Sequence, residues 1–250
     1  RRSAWDSAGF YFGRAVELDT SFALALRRQA LALSWKDPTS DAGEVLLSRA
    51  VARNHGLAPR DSFLLAADSF GIAFDDRDNP QAWGHGQRQL ETLGESTRRY
   101  PTDPEGWYQL GEAQFHGHYF GFTLPQHLQP FARAVELDPT FAPAYIHAIQ
   151  ISFYLNDLTQ ARRYLGSYLA LSPTEGEGVG APLVASLLDA ADSTEVSTLV
   201  DRAAPNELVG AWSLLAWFDS TEARLQVLRR LASGALGANG LADAPAFWTD

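Results

Sequence analysis

The hexamer RAVELD occurs twice, in RAVELDTSFA at positions 14–23 and in RAVELDPTFA at positions 133–142. The likeness runs past the six letters into Phe22 and Phe141, Ala23 and Ala142, Ala25 and Ala144. A phrase that returns 119 positions later with its neighbours at matching offsets marks a structural repeat. Divided by three, that spacing gives about 40 residues per unit, enough for two helices and a loop.

Working outward, helix-period patterns cover 7–18, 22–35, 41–54, 61–73, 80–99, 104–117, 126–137, 141–155 and 158–171, with apolar residues three or four apart. No stretch alternates as a strand does. Breaks fall at Asp37-Pro38, Pro59, Asp75 to Pro80, Pro101 to Pro104, Pro139, Asn156-Asp157 and Pro173. Helices joined by such short turns pack back on their neighbours as hairpins. The stretch 181–232 reads the same way with weaker punctuation.

The segments DPEGWYQLGEAQF, 103–115, and FARAVELDP, 131–139, resemble the tetratricopeptide repeat. Trp107, Leu110 and Gly111 stand at the spacing of that family's first helix, and Phe131, Ala134 and Pro139 at that of its second. Four extra residues around GHYFGFTLP lengthen this unit to 38 residues, 104–141. The next unit, 142–175, has the family's 34, with Tyr145 as first aromatic, Ala161 and Leu165 on the second helix, Asn156-Asp157 in the turn and Pro173 at the close. Gln114 and Ser152 depart from the family's tyrosine, His127 from its small residue and Ile149 from its glycine. Residues 7–22 match a second helix alone. The divergent, longer repeats attached to bacterial serine/threonine kinases and transcriptional regulators are the most similar.

The resemblance implies an all-α fold, a right-handed superhelical array of antiparallel hairpins. Residues 1–175 would form the repeats, and 176–250 further divergent hairpins and a C-terminal tail of the same solenoid. Small residues at Gly111, Ala134 and Ala161 would let helices cross at about 8–10 Å. Trp107, Phe131, Tyr145 and Leu165 would fill the space between hairpins, each large aromatic stabilising by about 2–3 kcal/mol. First helices line the inner wall of such an array. On that register the wall holds Tyr108, Glu112, Phe115, His116, Ile146, Gln150, Phe153 and Tyr154, with Arg27 and Trp35 placed similarly. The alternative is that a neighbouring hairpin or the extra loop buries several of them. Tyr108, Glu112, Ile146 and Gln150 do not supply the Lys and Asn with which some family members clamp a peptide's terminal carboxylate.

Composition narrows the function classes. With 46% hydrophobic and 20% charged residues the chain reads as folded. A net charge of −10 argues against a nucleic-acid groove. Cysteine is absent, which excludes disulfides, thiolate zinc sites and cysteine nucleophiles. No apolar run approaches the ~20 residues needed to cross a bilayer. Methionine is absent too, so residue 1 is not a translation start, and the chain is expected to be a mature product or part of a longer protein. Lys36 is the one lysine beside 19 arginines, a bias that points to a GC-rich bacterial genome.

Enzyme chemistry finds no positive feature. His116 and His118, with Glu112 and His127 nearby, could be zinc ligands, but residues two apart on a helix point in different directions, and a glycine-broken aromatic loop is the favoured reading. DDRDNP, 75–80, lacks the later glutamate of a calcium loop and reads as a solvated turn. GEGVG, 176–180, lacks the strand and lysine of a phosphate cradle and reads as a linker. The expectation is a non-catalytic scaffold, without cofactor or metal, that binds a protein or peptide as the interaction or sensing module of a larger bacterial signalling protein, cytoplasmic by preference. A small-molecule sensor with an enclosed aromatic pocket is the alternative, and a metal enzyme using His116 and His118 stands behind it.

Overall fold

The computed structural model describes residues 4–37, 40–76, 78–117, 120–215 and 222–230. Among them stand thirteen α-helices and no strand. In chain order these are α1 Trp5–Leu18, α2 Ala23–Lys36, α3 Ala42–Val51, α4 Pro59–Asp75, α5 Ala82–Arg99, α6 Pro104–His116, α7 Leu124–Leu137, α8 Ala142–Tyr154, α9 Leu158–Ala170, α10 Glu177–Asp189, α11 Ser193–Arg202, α12 Pro205–Leu215 and α13 Glu222–Arg230. The two RAVELD phrases close α1 and α7, so α2–α3, α4–α5 and α6–α7 lie between them, three helix pairs across the 119 residues.

Helix ends follow the chemistry of their residues. Asp103 caps α6, its carboxylate accepting from the N–H groups of Glu105 at 3.2 Å and Gly106 at 3.3 Å, and Pro104 takes the first helical position. Asp157 and Asp192 cap α9 and α11 likewise. Asn156 follows the end of α8 at φ 56°, the left-handed region that asparagine tolerates. There the Asp157 N–H reaches the Ser152 carbonyl and the Asn156 N–H the Phe153 carbonyl, both at 2.9 Å. That pair of bonds is the Schellman closure of a helix.

The described residues divide into two compact units, one of Trp5–Asp138 and one from Pro139 onward. In the first, α1 to α7 each pack on the next in sequence, and α4 also meets α6. Val16, Ala25, Leu26, Ala50 and Leu65 form one core; Leu64, Ala67, Leu93 and Leu110 form another, with Trp107 and Leu90 against it. Gly111 lets its crossing close tightly, because a Cβ there would lie 2.8 Å from the Phe131 ring. Ala134 beside it is fully buried.

In the second unit α8 packs on α9 and α12, and the most extensive pairing skips a helix, α10 against α12. Gly180 and Gly210 make that pairing. A Cβ on Gly180 would stand 1.9 Å from the Ala211 backbone nitrogen, so the two backbones touch. The glycines of GEGVG are therefore not a linker. Glu177 to Gly180 are the first turn of α10, and lack of side chains is what lets α12 approach.

One device repeats between units. Trp107 Nε1 donates to the Pro101 carbonyl at 3.0 Å and Tyr145 Oη to the Pro139 carbonyl at 3.1 Å. Each aromatic is the fourth residue of its helix and reaches back six residues, tying the helix to the turn that precedes it.

Candidate functional site

The chemistry of the first unit concentrates on α2, α4 and the start of α6. In α2, Ala23 and Ala30 are buried, and Arg27 lies between them at four- and three-residue spacing, on the same inward face. Asp68 follows Leu64 by one turn on the buried face of α4. Glu105 stands in the first turn of α6, where the helix N-terminus favours a carboxylate. Helix geometry thus carries a guanidinium and two carboxylates out of water.

Their bonds are mutual. Arg27, 2% exposed, donates from Nε to Asp68 Oδ2 at 2.5 Å, from Nη2 to Asp68 Oδ1 at 3.3 Å and from Nη1 to Glu105 Oε1 at 2.6 Å. Arg28 Nη2 donates to Glu105 Oε2, which also accepts from Arg60 Nη2 at 2.9 Å. Arg60 spends its other donors on Asp103, at 2.8 Å from both Nε and Nη2, and on Asp61 at 2.6 Å. Asp103 therefore both caps α6 and anchors Arg60.

Electrostatics follow from burial and proximity. Burial alone would raise the Glu105 carboxyl, but Arg27, Arg28 and Arg60 together outweigh it and hold it at about 2. Asp68 is pushed above the usual carboxylate range by burial, with Arg27 opposing. Arg27 and Arg60 are both held more firmly charged than a free arginine, Arg27 against burial by Asp68 and Glu105, Arg60 chiefly by its bonds to Asp103.

Beside this network lies a recess of about 180 Å³, lined in part by Leu24, Leu64, Arg28, Arg60, Asp61 and Glu105. The side chains of Arg28 and Arg60 are 37% and 31% exposed, whereas Glu105 is 2% exposed. A second depression of about 300 Å³ is lined by Gln81, just before α5, and by Gly84, His85 and Arg88 on the first turns of α5.

The residues expected on an inner wall do not share one surface. Arg27 is there in register, but it is a buried member of the ion network and presents nothing to solvent. Trp35 stacks on Trp5, centroids 5.2 Å apart and rings 6° from parallel. Tyr108 is buried edge-on to Phe131, and Phe115 lies edge-on to both Phe131 and His127. Glu112 and His116 stand one turn apart on α6, Oε2 to Nε2 3.8 Å, with His116 half-exposed. His118 lies outside the described residues. In the second unit Ile146, Gln150 and Phe153 are interior rather than on a wall, because α8 is buried at every position from Ala142 to Phe153. Gln150 donates from Nε2 to the Ser213 carbonyl of α12 at 2.9 Å and its Oε1 meets His147 Nδ1 at 2.7 Å. Tyr154, at the end of α8, is exposed.

Sequence reasoning missed Arg28, Arg60, Asp61, Asp68, Asp103 and Glu105. A signal was present: ALALRRQALAL and LLAADSFG each place a charge at the register of buried alanines and leucines.

No protein-family model matches the chain, and no curated protein matches it in sequence.

Proposed function

We propose that the chain is a non-catalytic scaffold that binds a protein or peptide partner through the recess on α2, α4 and α6. The observation that carries this is the recess itself: two partly exposed arginines, fixed by buried carboxylates, beside two leucines on the leading helices of three successive pairs. Side chains locked by buried hydrogen bonds are preorganised, which lowers the entropy a binding surface must give up. At about 180 Å³ the recess is smaller than the ~300–1,000 Å³ pockets that enclose drug-sized ligands, and it suits one side chain of a longer partner. The family resemblance extends the proposal to a role as the interaction module of a larger bacterial signalling protein.

Selection of a random peptide library displayed on phage against the intact chain tests it. Enriched peptides are expected to bind in solution by fluorescence polarisation and to lose binding to Leu24→Glu, a variant that replaces an apolar lining residue of the recess by a carboxylate, while circular dichroism stays helical. Failure to enrich any peptide above an unrelated helical control, or full binding to L24E, would refute the scaffold reading at this site.

A further inference from the structure

The hydrogen-bond ledger of the network defines what the recess can recognise. Both Glu105 oxygens are occupied, Oε1 by Arg27 and Oε2 by Arg28 and Arg60. Arg60 has bonds from all three of its nitrogens. Arg28 makes one bond, from Nη2, which leaves Nε and Nη1 as donors on a side chain 37% exposed. Asp61 accepts through Oδ1 from Arg60, which leaves Oδ2 as an acceptor. The recess thus offers one donor group and one acceptor, with Leu24 and Leu64 as its apolar lining.

Charge selects among ligands. Three guanidiniums, of Arg27, Arg28 and Arg60, face four carboxylates, of Asp61, Asp68, Asp103 and Glu105, all within the one bonded network. An incoming anion would meet Asp61 and Glu105 beside it, and an incoming cation would meet the arginines. The network is within one charge of neutral, and a single charge of excess does not offset the desolvation of an ion already met by like charges. A peptide unit needs no such excess: its carbonyl accepts and its N–H donates, and an aliphatic side chain next to it can use the leucines.

We infer that the recess recognises an uncharged aliphatic residue within a peptide, its backbone carbonyl taking the Arg28 donors, its N–H given to Asp61, and its side chain set against Leu24 and Leu64. The inference rests on the peptide-binding reading above and names the ligand chemistry of that site.

Three probes with one side chain and different charge decide it: N-acetyl-leucine methylamide, neutral; N-acetyl-leucinate, anionic; and leucine methylamide, cationic. Each is titrated to tens of millimolar into the full chain while the arginine Nε–H and leucine methyl NMR signals are followed. The neutral probe is expected to shift Arg28, Leu24 and Leu64 signals saturably, and the charged probes to do so at least several-fold more weakly. Arg28→Gln and Asp61→Asn, both at partly exposed positions, should each weaken the neutral probe about tenfold, to the limit of detection, with the helical spectrum retained. Shifts with the anion alone would make the site an oxyanion site, and shifts with the cation alone a cation site. Either overturns the inference, as does a neutral-probe response unchanged in both variants or no response to any probe. Because the phage selection reports peptide binding without regard to charge, enriched peptides alongside a failed probe series would sink this inference and leave the scaffold reading standing.

Discussion

Arg27 is the residue on which the first unit turns. It joins α2 to α4 through Asp68 and to α6 through Glu105, across 41 and 78 positions of sequence. A buried ion pair is weak evidence of net stabilisation, since desolvation offsets much of the attraction, but removal of one partner leaves the other charged and unpaired in a low dielectric. Arg27→Leu strands both Asp68 and Glu105 on that side and is expected to cost about 3–5 kcal/mol in urea unfolding. Arg27→Leu with Asp68→Leu should recover part of that loss, because one stranded carboxylate is gone. A single variant as stable as the parent would mean that water reaches the network. By contrast the charges of the repeated phrase, Arg14 with Glu17 and Arg133 with Glu136, form exposed pairs three residues apart on α1 and α7. Such pairs are worth at most about 1 kcal/mol, whereas the valine of the phrase, Val16 and Val135, is buried in both copies.

At the scale of elements, close crossings set the packing, and glycine decides how close. At Gly111 a Cβ would meet the edge of the Phe131 ring, which can tilt; at Gly180 it would meet the backbone of Ala211, which cannot. Gly111→Ala is therefore expected to cost about 1–3 kcal/mol, the usual range for overpacking. Gly180→Ala should cost more and should specifically raise amide hydrogen exchange in α10 and α12; equal losses in the two variants would show that α12 shifts freely. The contrast also explains what was legible in the sequence. Helix positions and the turns at Asp103-Pro104 and Asn156-Asp157 could be read, because periodicity and capping are local signals. So could Gly111, whose neighbours Trp107 and Leu110 carry a known spacing. The Gly180–Gly210 crossing could not, because α10 pairs with α12 rather than with the next helix, and nothing local in GEGVG records a partner 30 residues away. The ion network was hidden for the same reason: each charge is visible in its own helix, but the pairing of Arg27 with Asp68 and Glu105 exists only once three helices have met.

At the scale of the whole molecule, 30 acidic residues against 20 basic ones make the chain acidic, and no described helix is long and apolar enough to cross a membrane. Glu105 and Asp68, the two carboxyl groups bonded to Arg27, pull in opposite directions. Glu105 is held at about 2 in the folded chain against 4.5 for a free glutamate, so the folded state binds its proton less readily. Its contribution is fully present above about pH 4.5 and is lost as pH falls towards 2, roughly 3 kcal/mol in all. Asp68 is raised above its free value of 3.8, so its burial costs stability at neutral pH and that cost fades as the group takes up a proton on acidification. Between pH 4.5 and 2 the loss of the Glu105 contribution is thus expected to lower stability, with relief of Asp68 acting in the opposite sense. Glu105→Gln should be less stable at pH 7, because Arg27, Arg28 and Arg60 lose their shared anion, and should show a flatter curve below pH 4.5. Urea midpoints for the two chains at half-unit steps from pH 7 to 2 measure this directly. Parallel curves through that window would show that Glu105 does not govern the acid response. Convergence near pH 2 would place a pH-dependent part of the fold's stability in the same network that lines the recess.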